Sequence, residues 1–335
     1  MELTEYQISL AGLHARNEST IQATQDWERS RINEAALKAS FEKDCSSLVA
    51  LQRSVGVEYV TDGQLTLAWQ DFFRPISSGF EGLEPGPMVR WFNTNTFFYK
   101  PIVKGEISSD GRALSKAVER RAIDRGGAAK VILPDPLTFA ELAEDRHYRS
   151  KEKLLFAYAD ALREELRSLA SSGVKYVQFS SPSLVYRLGQ KPLSSAGLKQ
   201  LGEAVRAALK GIHVRSGFHT IFGDAAPYLP SLVDVIPTDD LGFDLTETDD
   251  SSLPGSGKGL IAGIVDSRTT YLEDPASLAG RVEGIADRTG AKTITLSPSA
   301  DLRFVPRVSA DKKLELLGRL REKVKGGAAK GRRSN

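Results

Sequence analysis

Residues 57–75 read VEYVTDGQLTLAWQDFFRP. Val57, Tyr59 and Val60 have the pattern of a short buried strand, and Thr61-Asp62-Gly63-Gln64 is the turn that ends it. An acid and an amide thus stand just past a strand's carboxyl end, with Trp69, Phe72, Phe73 and Arg74 close behind. In parallel α/β proteins that end of each strand faces the ligand, whereas the opposite end mostly holds the fold together. Asp62 taken alone reads equally well as a cap on whatever follows. Other strands that end in the same way favour the functional reading.

Working outward, strand-like runs recur at 7–12, 130–133, 176–179, 211–216, within 234–245, at 259–265 and at 293–296. Helical spacing of apolar residues separates nearly all of them, at 33–55, 151–171, 195–209, 274–288 and 310–324. The strand runs are too apolar to alternate, as expected of parallel strands covered on both faces. Eight such units predict an α/β chain folded as a single (β/α)8 TIM barrel. A long Gly-, Pro- and aromatic-rich excursion over 77–125 predicts an inserted loop or hairpin after the second strand. No GxGxxG follows the first strand to favour an open doubly wound sheet. The barrel is assigned to residues 1–325, and 326–335 (GGAAKGRRSN) to a basic, disordered tail.

A net charge of +2 over 335 residues argues against nucleic acid or an anionic membrane as the main partner. No run is long and apolar enough to span a bilayer, the first five residues do not read as a signal peptide, and the one cysteine, Cys45, excludes an internal disulfide. The expected location is the cytoplasm. The strand ends gather His14, Arg16, Asp62, Gln64, Asp135, Ser180, Ser181, Arg215, His219, Asp239, Asp240, Asp266, Arg268 and Ser299 at one mouth, and the loop MVRWFNTNTFFY at 88–99 adds Arg90, Trp91, Asn93, Asn95 and Tyr99. Aromatics interleaved with amides suit a flat heteroaromatic ligand, although Trp91 and Phe97 also read as packing of this loop on the rim. The substrate-binding candidates are Asp62, Gln64, Arg90, Trp91, Asn93, Asn95, Asp135 and Asp266. With four histidines and one mid-helix cysteine, a metal site could be built only from His219 with Asp239 or Asp240, and no Ser-His-acid triad is readable.

Several segments together resemble the cobalamin-independent methionine synthase family: VEYVTDGQ at 57–64, WQDFFRPI at 69–76, VRWFNTNTFFYKPIV at 89–103, ILPDPLTFAEL at 132–142, GVKYVQFSSPSLV at 173–185, LGFDLTET at 241–248, GLIAGIVDSRT at 259–269 and ITLSPSADL at 294–302. The resemblance implies a (β/α)8 barrel related to enzymes that move a methyl group from a methylated folate to homocysteine sulfur through a zinc-bound thiolate. The family's catalytic barrel holds zinc with a histidine and a cysteine after the fifth strand, an acid after the sixth and a cysteine after the eighth. Against that pattern the fifth-strand region, with Arg215 and Phe218, has no cysteine, and Ala300 stands where the last would be. The sixth-strand acid is Asp239 or Asp240, Ser180-Ser181 replace an acidic pair, and Gln64 replaces an acid. Zinc lowers a thiol's pKa, so losing two thiolates and two acids removes independent homocysteine activation.

The resemblance therefore implies a zinc-less, N-terminal-barrel-like half of a split methyltransferase, not active alone, that binds no cofactor itself. Zinc is expected on a partner methionine-synthase-like chain, with methylated folate as the shared substrate. The alternative is a stand-alone or repurposed barrel that binds a flat pterin-like molecule.

Overall fold

In the computed structural model, described over residues 4–66, 73–117, 128–186 and 191–331, eight parallel strands form one sheet rolled into a barrel. In chain order the strands are β1 (Glu5–Ile8), β2 (Tyr59–Val60), β3 (Glu81–Arg90), β4 (Phe97–Ser108), β5 (Ala128–Pro134), β6 (Glu144–Asp145), β7 (Val174–Ser180), β8 (Arg215–Thr220), β9 (Asp240–Asp244), β10 (Gly259–Val265) and β11 (Thr293–Pro298). The barrel runs β1-β11-β10-β9-β8-β7-β5-β2, while β3, β4 and β6 make a separate three-stranded sheet. The seam between the first and last strands of that order is bridged by Glu58 N–H donating to Ile8 O at 3.2 Å. β2 is only two residues long because a side chain takes over its pairing. The buried Gln52 amide accepts from Thr61 N at 3.0 Å and donates to Thr61 O at 2.6 Å.

The barrel and the inserted hairpin were legible; several boundaries move. The first strand ends at Ile8, not at residue 12, and the fifth barrel strand is Arg215–Thr220. The run 211–216 is apolar enough to pass for strand, but Lys210 caps the preceding helix and Gly211 turns at φ +75°. The last helix spans Arg307–Gly331, so 326–331 extends a helix where a disordered tail is predicted. Trp69 and Phe72 of the opening stretch, residues 118–127 of the excursion and 332–335 of the tail lie outside the described residues.

Helix starts follow the sequence chemistry: the side chains of Asn33, Asp135, Ser150, Ser194 and Asp274 each accept a backbone N–H from the first turn. Between neighbouring helices the packing is apolar, as where Phe139 of Pro136–Leu142 stacks on Tyr158 of Lys151–Ser171 with centroids 4.0 Å apart.

The barrel interior departs from the branched aliphatic filling usual for this fold. At its amino-terminal end Arg215 grips Asp240 with two bonds, Nε to Oδ2 at 2.8 Å and Nη2 to Oδ1 at 2.7 Å, and Tyr176 Oη adds a third at 2.8 Å. Gly259 leaves room for this cluster, since a Cβ there would stand 1.9 Å from Asp240 Oδ1. Halfway up, Lys130 is wholly enclosed and donates to Ser9 Oγ, Leu10 O and Gln178 Oε1 at 2.6, 2.7 and 2.7 Å.

Candidate functional site

The strand polarity sorts the candidates into two ends. Arg215 opens β8 and Asp240 opens β9, so both lie at the amino-terminal end of the barrel, away from the ligand face. Asp239 is beside them, accepting from Ser216 N at 2.7 Å. Placing these three at the mouth was an error: the fifth strand was set four residues early, and the sixth was bounded only within 234–245, although it starts at Asp240. The metal pairing of His219 with Asp239 or Asp240 falls with it, because His219 sits near the carboxyl end of β8, opposite Gly242 rather than Asp240. Phe218 points the other way, into the apolar layer.

At the carboxyl ends the structure brings a different set together. His219 is fully buried, and a Cβ on Gly242 would come within 2.7 Å of its ring. Asp244 ends β9, Ile221 follows β8 and Ala300 follows β11, all buried. The Asp244 carboxylate is already used: it accepts from Phe222 N at 3.2 Å, Thr246 N at 3.0 Å and Thr246 Oγ1 at 2.5 Å. One imidazole, one occupied carboxylate and two aliphatic side chains do not fit zinc. No three His, Cys, Asp or Glu side chains come together to hold a metal ion among the described residues. Asp244 was missed because its LGFDLTET segment was read as strand interior.

Burial, reinforced by the Lys130 charge, pushes the His219 pKa down to about 3. Below about 6.5 the unfolded chain binds a proton that folded His219 does not, so stability falls as pH drops from about 6.5 towards 3. Each pH unit in that window is expected to cost about 1.4 kcal/mol from this group. Urea denaturation at stepped pH should show a shallower acid limb in His219→Gln than in the wild type, and an unchanged limb would refute the burial argument.

The remaining candidates are scattered. Asp62 is buried and its Oδ1 accepts from Gln64 N at 2.8 Å in a tight turn. Gln64, held at φ +48°, donates to Ile132 O at 2.9 Å and links the tops of β2 and β5. Asp135 caps the helix Pro136–Leu142, and burial raises its pKa to about 6. Asp266 lies in a surface turn paired with Arg268. Arg90, Asn93 and Asn95 are exposed on the inserted hairpin. Trp91 is 2% exposed and packs on Phe73, Phe92 and Phe98, which is the packing role.

That hairpin explains where the open space lies. Phe92 meets Tyr186 and Phe222, and Phe222 meets Phe304, so rings from the loops after β7, β8 and β11 close over the mouth. A cleft of about 690 Å³ opens to one side, beyond the ends of the adjacent strands β1 and β11. Its walls include His14, Arg16, Asn17, Thr96, Arg303, Arg307 and Asp311. Two helices begin here, Glu18–Glu28 and Arg307–Gly331, and residues of both first turns line the space. Helix amino termini and arginines together favour anions.

The cleft floor is braced. Asp44 accepts from Asn17 N at 2.8 Å and Asn17 Nδ2 at 2.7 Å, and it also binds Arg307 Nη1. Arg307 Nε reaches Asp311 Oδ1 at 2.8 Å, and His14 Nε2 reaches the same oxygen at 2.9 Å. Arg303 lies over the Trp91 ring at 5.8 Å, coupling hairpin to cleft. His14 and Arg16 were among the mouth residues read from sequence; Arg303, Arg307 and Asp311 were not, since nothing local marks the start of a last helix as a wall.

Fold and cleft define a class: a (β/α)8 barrel with a groove lined by three arginines beyond the carboxyl ends of its strands. The chain belongs to the family described as "Cobalamin-independent synthase, N-terminal domain", whose model matches residues 60–290. It is 27% identical to a methionine synthase of Saccharolobus solfataricus over 269 residues, 77% of this chain and 76% of that one. It is 29% identical over 274 residues to the 5-methyltetrahydropteroyltriglutamate–homocysteine methyltransferase of Mycobacterium tuberculosis, covering 78% of this chain but 34% of that one. The chain thus spans about a third of the mycobacterial protein. A B12-independent methionine synthase from Shewanella, solved with selenomethionine, shares the fold at a TM-score of 0.72 and 17% identity, over 98% of this chain and 99% of that one.

Proposed function

We propose that this chain contributes to methylation of homocysteine by holding a methylated folate, while a separate zinc-bearing chain activates the thiol. The cleft beside β1 and β11 carries the reading. The mycobacterial relative is named for a triglutamate folate, a ligand whose tail is a string of carboxylates. Arg16, Arg303 and Arg307 against Glu18 and Asp311, together with two helix amino termini, suit such a tail. Arg16, half-buried and held by Nη1 donating to Thr24 Oγ1 at 3.2 Å, lines the cleft beside the start of the helix Glu18–Glu28 and is assigned the tail contact. The zinc-bearing partner is inferred from the donor set: His219, Asp244, Ile221 and Ala300 supply no thiolate, and Cys45 is buried in the helix Glu34–Ser54. No helix among the described residues is long and apolar enough to cross a membrane.

The test is an equilibrium titration of the full chain with mono- and triglutamate forms of methylated folate, followed by a pull-down and methyl-transfer assay with a zinc-bearing family member. The triglutamate is expected to bind about 10- to 100-fold tighter, and Arg16→Ala to remove most of that difference. Saturable folate binding with no association and no rise in methyl transfer would favour a stand-alone binding barrel. No saturable binding of either form rejects the reading.

A further inference from the structure

The side chain hardest to account for in the barrel is Lys130. It is fully buried on β5, where this fold normally places a branched aliphatic residue. An ammonium there is costly unless every N–H is bonded. All three are: two go to the start of the loop that leaves β1, at Ser9 Oγ and Leu10 O, and one goes to Gln178 on β7. Gln178 completes the bridge by donating its own Nε2–H to Ala11 O at 2.6 Å. Three consecutive residues of one loop are thus tied to two strands through the barrel interior. Beyond them the same loop is pinned by Leu13 N to Asp301 Oδ1 at 3.0 Å and His14 N to Gly63 O at 3.0 Å, and then becomes the cleft wall at residues 14–19.

We infer that Lys130 is a positioning residue: with Gln178 it forms a strap that sets the path of residues 9–17 and so the shape of the anion cleft. This rests on the functional reading above only in the choice of ligand used to probe it. An aliphatic residue at 130 would fill the same space but leave Leu10 O with only the local Ser9 Oγ–H bond at 3.3 Å, and nothing from β5 would then hold the loop to the barrel at this point.

The strap also carries a pH dependence. The ionisable neighbours are Asp240 on β9, which favours the charged amine, Tyr176 on β7, whose ring lies 5.1 Å from Nζ, and His219 on β8, which stays neutral. Arg215 is bound to Asp240. Burial lowers the Lys130 pKa to about 7. Above that the amine has two N–H groups for three acceptors, so the loop loosens as pH rises through neutrality.

Hydrogen exchange of the amides of residues 13–17, and triglutamate methylfolate titrations from pH 6 to 8.5, test this on the full chain. Lys130→Met is expected to speed exchange at these amides about 10-fold and weaken binding by a similar factor at pH 6, with its affinity flat across the range. Wild-type affinity should fall through neutral pH, and Lys130→Arg should restore part of the protection. If Lys130→Met does not fold, Ser9→Ala, which removes one bond of three, is expected to raise exchange about 3-fold. Unchanged exchange in a folded Lys130→Met, or in Ser9→Ala where the former fails, overturns the strap. Absent folate binding by the wild type would strike the functional reading alone, because the exchange contrast needs no ligand.

Discussion

Replacing Arg307 with methionine is expected to lower the free energy of unfolding by about 3–5 kcal/mol, a large share of a domain's ~5–15 kcal/mol. Arg307 is 7% exposed and bonds Asp44, itself 1% exposed, Asp311 and the Ala15 carbonyl. The methionine would take from the buried Asp44 carboxylate its Arg307 bond, leaving the Asn17 donors and the nearby Arg16 charge, and a buried charge short of partners is the costly outcome. Arg307→Lys should fall between, because one ammonium cannot span Asp44 and Asp311 as a guanidinium fork does. Urea denaturation reads the loss directly. Adding Asp44→Asn to the methionine variant should recover part of it, and a coupling near zero in that cycle would mean the pair is not what holds the cleft floor.

The second large effect concerns the other end of the barrel. Asp240→Asn is expected to cost about 2–4 kcal/mol, since it weakens two guanidinium bonds and one phenol bond to a carboxylate that is 2% exposed. Arg215 is about a third exposed, so its own loss is partly compensated by water, which places the cost below that at Arg307. At pH 6 ligand affinity in the folded variant should stay within about 2-fold of wild type, because this end of a (β/α)8 barrel serves stability, whereas near pH 7–8 the lost Asp240 charge, which favours protonated Lys130, should weaken binding through the strap. Denaturation together with folate titration separates the two possibilities. A variant that folds with wild-type stability but loses binding would put Asp240 back at the ligand face.

That contrast shows how a small local error in the sequence reading propagated. Residues 211–216 (GIHVRS) carry Ile212 and Val214, whereas the strand itself, Arg215–Thr220 (RSGFHT), carries Phe218 alone, and strand boundaries are the weakest part of any such reading. A shift of four residues moved Arg215 from the base of the barrel to its mouth, and a sixth strand bounded only within 234–245 did the same for Asp239 and Asp240 and hid Asp244. By contrast, the seventh barrel strand, Gly259–Val265, was read to the residue, because Gly259 and the Asp266-Ser267-Arg268 turn punctuate both ends. The aromatics of the inserted loop were recognised but not their effect. Phe92, Phe222 and Phe304 come from three distant segments, and only their meeting closes the middle of the mouth and leaves the opening at its side.

Residue order was enough for the architecture and the family, because each is written in local pattern or in residue identity: apolar runs alternating with amphipathic ones, and ordered segments. Tertiary structure alone decided which polar residues share a site. Arg16 and Arg307 are almost three hundred positions apart and become neighbours only because β1 closes against β11. Lys130 likewise looks in sequence like any residue near a strand start, and only the closed barrel shows it enclosed and fully bonded. Pairing across a closed sheet depends on register and closure, and neither leaves a mark on the residues immediately beside those it brings together.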